Sequence, residues 1–260
     1  MLLGVILVAI TLAGCGLFVL RPAWFPIAIS SEALVFDRQF SQTLWIAGII
    51  FICAHLLLAW ALLRRRRTGP VAPGTQRVLE IGWTLAASAI FLGLAVAGSR
   101  GWAKVPHLSP REEVIEVYAR QFHWSFRYPG ADGVFGHTDN RFISDSGGNP
   151  MGIDPADAAG KDDIVPDSLR IPAGRDVLLL LHSRDVIHDF FVRELRTKQD
   201  IVPGMEIPLE IHVDRVGRYE IACAELCGLG HSQMASVMIV MPPADFDQWK
   251  RNSTSTPSGN

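Results

Sequence analysis

The sequence predicts a mainly β protein: an extracytoplasmic antiparallel sandwich anchored by an N-terminal two-helix transmembrane hairpin. Three observations lead there. Two long uncharged apolar runs sit in the first hundred residues, short runs broken by Pro, Gly and Asp fill the rest, and charge is segregated between the two parts. With 49% hydrophobic and 19% charged residues the chain is not disordered, and a mean hydropathy of +0.23 is high for a domain living wholly in water. A net charge of only −2 argues against a nucleic-acid binder.

Residues 1–20 carry no charge and contain Leu12-Ala13-Gly14-Cys15, a small-residue run before Cys that resembles a bacterial lipoprotein processing site. No Lys or Arg precedes the apolar stretch, as a signal peptide normally requires. Two readings therefore stand, a cleaved signal with Cys15 lipidated or an extra helix. Residues 21–43 read as an external linker. Residues 44–63 (LWIAGIIFICAHLLLAWALL) hold 20 residues without formal charge, which as a helix match a hydrocarbon core of about 30 Å. His55, inside this run, reads as a helix-contact residue. Residues 64–79 form a basic loop with Arg64, Arg65, Arg66, Arg67 and Arg77 and no acidic residue, so it stays in the cytoplasm. A second span covers 80–98, with Glu80 at its leading edge and Trp83 and Trp102 at either end. Both outer ends of the hairpin then face outside, and so does everything beyond.

The outer domain is placed at 103–250, where 15 Lys and Arg face 23 Asp and Glu, a net −8. Such charge either keeps the domain soluble or steers a basic partner. Strands are expected at 114–118, 122–128, 168–171, 176–182, 190–192, 206–213, 217–222 and 236–241, with clear alternation from Ile207 to Val213. Residues 129–167, rich in Gly, Asp, Asn and Pro, read as a long exposed loop, and 251–260 as a disordered tail.

The chemistry is concentrated in Cys223-Ala-Glu225-Leu-Cys227-Gly-Leu-Gly-His231-Ser-Gln-Met234, two thiols, an imidazole and a thioether within 12 residues. Soft thiolate and thioether donors with imidazole suit copper, whereas magnesium and calcium prefer oxygen. His188 supplies a second imidazole at the end of an apolar run. Each residue also has a plainer reading. Paired cysteines outside the cytoplasm commonly form a disulfide, Met234 alone is core filler, His231 alone a surface histidine, and zinc remains an option. A disulfide, however, gives no reason for His four and Met seven positions beyond Cys227, so copper is the preferred reading.

These residues resemble subunit II of the cytochrome c oxidases of the haem-copper superfamily. The resemblance runs from the first span to about Trp249 and is most specific in Asp185-Val-Ile-His188, Lys198-Gln-Asp200 with Pro203-Gly204, and the Cys223–Met234 loop. It implies a cupredoxin-like sandwich holding a dinuclear copper centre, CuA. Cys223 and Cys227 would be bridging thiolates, His188 and His231 terminal imidazoles, Met234 a weak ligand and the Glu225 carbonyl a ligand to the other copper. It further implies a magnesium ion at the Glu225 carboxylate, a proton-path entrance at Glu80, and electron entry through the aromatic segment at Phe122 and Trp124. These two rings are expected on one face of a strand. The implied function is electron acceptance from cytochrome c and transfer to subunit I in a proton-pumping oxidase of a bacterial inner membrane, with the copper domain periplasmic and membrane lipid around the spans. No Cys-x-x-Cys-His is present, so no haem c is expected on this chain. The alternatives are a membrane-anchored copper-delivery protein and a metal-free structural subunit of a quinol oxidase.

Overall fold

The computed structural model describes residues 2–20, 25–64, 72–103 and 113–254. It divides into a helical unit, Met1–Ile27 with Leu34–Val105, and a β unit, Ala28–Ala33 with Pro106–Asn260.

The helices are α1 (Leu2–Val19), α2 (Ser31–Arg64) and α3 (Pro73–Trp102), and all three are long and apolar enough to cross a membrane. α1 approaches α2 closely at glycines. A Cβ on Gly4 would lie 3.0 Å from Leu63 Cγ, and one on Gly14 would lie 3.4 Å from Phe51 Cε1. The Phe18 ring meets Trp45 edge-on at 4.5 Å. Within residues 1–20, read from the sequence as a processed signal or an extra helix, Leu2–Val19 are helical. His55 Nδ1 lies 2.9 Å from the Phe51 carbonyl, a bond within its own helix.

Two helix boundaries differ from the sequence reading. α2 begins at Ser31, inside the stretch 21–43 expected as an external linker, and α3 begins at Pro73, inside the expected loop 64–79. The reason is that caps and backbone bonds set helix ends, whereas the apolar run marks only the part suited to lipid. The Ser30 hydroxyl accepts from the Ala33 N–H at 3.0 Å and Glu32 lies in the first turn, while Pro73 sits at the first position of α3, where its missing N–H costs nothing. Arg65, Arg66 and Arg67 lie outside the described residues.

The β unit is a sandwich of β1 (Glu113–Arg120), β2 (His123–Arg127), β3 (Leu169–Pro172), β4 (Asp176–Ser183), β5 (His188–Val192), β6 (Thr197–Ile201), β7 (Ile207–His212), β8 (Gly217–Cys223) and β9 (Ala235–Met241), followed by α4 (Pro243–Thr254). One sheet has the order β2-β1-β4-β7 and the other β3-β9-β8-β5-β6. Most neighbours are antiparallel, but β1 with β4 and β3 with β9 run parallel. Parallel neighbours need a crossover, and the long 129–167 connection is part of the one between β1 and β4. Alternation along β1 sends Ile115, Val117 and Ala119 into the core, where they meet Phe190, Ile221 and Met238.

β6 and α4 have no counterpart in the sequence reading. Thr197-Lys-Gln-Asp-Ile201 is an edge strand with only Ile201 buried, so it lacks an apolar rhythm and is held by its backbone pairing to β5. α4 takes over the first residues of the expected tail and buries Phe246, with Trp249 edge-on to Tyr128 at 5.1 Å. Residues 255–260 lie outside the described residues.

The 129–167 connection is folded onto the sheet rather than freely exposed. Arg127 is buried among it, donating to Asp163 Oδ2 at 2.5 Å, to Glu116 Oε2 at 3.0 Å and to the Gly136 carbonyl. Burial raises the pKa of both Asp163 and Glu116 against the pull of Arg127.

At the end of β7, His212 Nδ1 lies 2.6 Å from Asp176 Oδ1 and Nε2 lies 3.3 Å from Asp214 Oδ1. Burial lowers its pKa, but Asp176, Asp214 and Glu32 outweigh that and raise it overall. The imidazolium therefore stabilises the fold fully below the ordinary value of about 6.5, and this is lost as pH rises through the higher folded value. His212→Gln is expected to cost about 0.5–1 kcal/mol at pH 5.5 and almost nothing at pH 9, measured by denaturant unfolding of the purified chain. An equal cost at both values would contradict this.

Candidate metal centre

The cluster forms where two strand ends meet a loop. His188 opens β5 and is fully buried, Cys223 closes β8, and Met234 immediately precedes β9. The Cys223 N–H donates to the Met234 carbonyl at 3.2 Å, which closes the base of the loop, and the Ala224 N–H donates to the Asp189 carbonyl at 3.2 Å, which ties it to β5. Inside, a short 3-10 turn over His231–Gln233 aims the imidazole back at the thiols.

The donor atoms form a compact group around the two thiols. Cys223 Sγ lies 3.8 Å from His188 Nδ1 and 3.2 Å from the Glu225 carbonyl oxygen. Cys227 Sγ lies 3.7 Å from His231 Nδ1 and 3.8 Å from Met234 Sδ, and the two sulfurs are 3.8 Å apart. Both cysteines are free, so the disulfide reading is not realised. Metal–nitrogen bonds of about 2.0 Å and metal–sulfur bonds of about 2.3 Å put neighbouring ligands of one tetrahedral ion roughly 3.5–4 Å apart, the spacing seen here. His188, Cys223 and Cys227 offer atoms that all lie within 4.8 Å of one another.

The electrostatics fit the same group. Burial and the neighbouring Cys223 thiol push Cys227 up to about 11, so a nearby cation would be needed to hold Cys227 as a thiolate at neutral pH. The donor set is soft and nitrogenous and so suits copper. Behind it, Asp185 Oδ1 lies 2.8 Å from His188 Nε2, which leaves Nδ1 turned toward Cys223. Burial works against the Asp185 carboxylate, yet bonds from the Gln121 N–H, His188 and the Val186 N–H prevail and hold its pKa low.

The remaining predicted residues separate. The Glu225 carboxylate is exposed while its carbonyl faces Cys223. Phe122 is 38% exposed and lies against Gly228 and Gly230 of the loop. Trp124 is only 1% exposed, edge-on to Phe190 at 5.9 Å and to His188 at 6.5 Å. The expectation that the two rings share one exposed face does not hold. Phe122 belongs to the turn before β2 begins at His123, where strand alternation has no meaning. Glu80 lies on α3, outside this cluster, with its carboxylate taking Gln76 Nε2 at 3.2 Å. Missed entirely are exposed apolar residues in the segments that carry the donors. Leu226 and Leu229 in the loop, with Val186 and Ile187 before His188, are exposed large side chains. Their signal was present in the sequence as large apolar residues flanking the donors.

The family model for the periplasmic domain of cytochrome c oxidase subunit II matches residues 113–241. The alternative cytochrome c oxidase subunit 2 of Bradyrhizobium diazoefficiens is 35% identical over 244 residues, covering 91% of this chain and 86% of the relative. This chain belongs to the cytochrome c oxidase subunit II family. A further family member, the cytochrome c oxidase subunit 2 of Synechocystis, is 28% identical over 255 residues, covering 90% of this chain and 76% of its own length. Among solved structures, the periplasmic domain of subunit II of cytochrome oxidase from Bradyrhizobium japonicum matches with a TM-score of 0.42 at 20% identity, covering 56% of this chain and 96% of that one. The family, the β sandwich and the apolar helices agree in describing a membrane-anchored oxidase subunit with a copper-binding domain.

Proposed function

We propose that this chain is the electron-entry subunit of a proton-pumping cytochrome c oxidase in a bacterial inner membrane. It takes single electrons from cytochrome c and passes them to the haem-copper subunit I, where oxygen is reduced. The observation that carries this is a compact group of donors with both thiols at its centre, each sulfur having its own imidazole nearby and the other sulfur beside it. His188, Cys223, the Glu225 carbonyl, Cys227, His231 and Met234 would hold two copper ions, which when bound supply one-electron redox chemistry. The chain's own work is to keep these donors still. They stand on strand ends and a loop closed by backbone bonds, with His188 backed by Asp185 and Trp124, so little has to move when charge changes. These protein donors would fill the positions around the copper ions, which would leave no opening for a small-molecule substrate.

The exposed Glu225 carboxylate is free to reach subunit I and to take a magnesium ion there, a hard cation suited to oxygen. Glu80 would stand at a proton-path entrance on the cytoplasmic side, and the domain charge of −8 would steer a basic cytochrome c.

Metal analysis and the near-infrared spectrum of the purified oxidase test this reading. Two copper ions per chain sharing one unpaired electron when oxidised are expected. A single exchangeable copper would favour a delivery protein, and a metal-free chain that supports quinol oxidation would favour the structural relative. Either result overturns the proposal.

A further inference from the structure

The turn that carries Phe122 is tied to the metal centre by the residue before it. The Gln121 backbone N–H donates to Asp185 Oδ2 at 2.7 Å, and its side-chain amide donates to the Cys227 carbonyl oxygen at 2.5 Å. The other oxygen of Asp185 takes His188 Nε2 at 2.8 Å and the Val186 N–H at 2.7 Å. One unbroken line of hydrogen bonds thus runs from the His188 imidazole through Asp185 and Gln121 to the Cys227 carbonyl. The loop is shaped to receive it. A Cβ on Gly228 would come within 2.8 Å of Gln121 Nε2 and 3.1 Å of Phe122 Cζ, and Gly228 has φ +137°, which other residues rarely adopt. Gly230 lies closer still to the same ring, where a Cβ would meet Phe122 Cδ2 and Cγ.

We propose that Gln121 is a positioning residue for electron entry, clamping the Phe122 ring onto the Cys227 loop while joining the two through its amide. This rests on the reading of Phe122 as the entry ring. An exposed aromatic on a two-residue turn samples several rotamers, and a tunnelling step falls steeply with any widening of the gap, so a site of this kind needs its exposed member held. Only a neutral amide of this length fits. Glutamate has no N–H to offer and sets a carboxylate against the Cys227 carbonyl, alanine offers nothing, and asparagine is one methylene short. The backbone bond to Asp185 survives all three changes, so the support of His188 and the copper content are expected to remain.

The test uses the full chain with 4-fluorophenylalanine at position 122, and the assembled oxidase. In the metal-free chain a single fluorine resonance is expected, moving toward the free-ring value in Gln121→Ala and Gln121→Glu. In the oxidase, Gln121→Glu should slow reduction by cytochrome c on the order of tenfold. Copper content, near-infrared spectrum and reduction by a small ruthenium ammine complex should stay at the wild-type level. An unmoved fluorine resonance in Gln121→Glu overturns the clamp. Slowing in Phe122→Ala with none in Gln121→Glu also overturns it and leaves the entry reading standing. Wild-type rates in both variants overturn the entry reading itself.

Discussion

Cys227→Ser should break up the metal centre and severely slow electron transfer through this chain. Cys227 Sγ faces three donors, Cys223 at 3.8 Å, His231 at 3.7 Å and Met234 at 3.8 Å. A serine hydroxyl is a hard, weakly acidic oxygen that soft metals bind poorly and do not share between two ions. Copper is expected to fall from two ions per chain to one or none, the near-infrared band to vanish, and cytochrome c oxidation to drop by on the order of 100-fold or more. Met234→Leu is the matched control, because a thioether at the edge of the cluster tunes rather than holds it. Copper should stay, and the reduction potential should shift. Retention of two copper ions in Cys227→Ser would remove the shared-thiol arrangement from consideration.

Phe122→Ala should slow electron entry from cytochrome c by roughly tenfold to a hundredfold while leaving copper content and onward transfer intact. The ring is partly exposed and lies against Gly228 and Gly230 of the loop that carries Cys227, which also bears the exposed Leu226 and Leu229. Trp124→Ala should behave in the opposite way. Its ring is buried between Phe190 and His188, so truncation leaves a cavity and costs about 3–5 kcal/mol of stability. Stopped-flow reduction at several salt concentrations, beside denaturant unfolding of both variants, separates them. Entry rates should also fall as ionic strength rises, given the domain charge of −8 and a screening length of about 8 Å at physiological salt. If Trp124→Ala slows entry without loss of stability and Phe122→Ala does neither, the assignment of the two rings is reversed.

Most of the candidate metal ligands were legible because their signal is local. Cys223, Cys227, His231 and Met234 fall within one loop, and the backbone distance between them leaves few ways to avoid one another. The strands with apolar rhythm, such as Val114–Tyr118 and Ile207–His212, were legible for the same reason: period-two burial is written in neighbouring residues. β6 was invisible because an edge strand draws its stability from backbone pairing and needs no apolar pattern. The start of α2 was misplaced because hydropathy reports lipid contact, while Ser30 and Glu32 report the helix end.

The amino-acid order by itself determined the donor set, the apolar runs and the charge of the outer domain, since each depends only on which side chains are present and how they are spaced. Tertiary structure alone decided that Phe122 faces solvent and Trp124 the core. A single turn residue before β2 shifts which side chains alternate inward. It also decided that Gln121 meets Asp185, 64 positions away, and the Cys227 carbonyl, 106 positions away. Such bonds follow from how two sheets bring their ends together, and nothing in the local chemistry of a glutamine announces its distant partner.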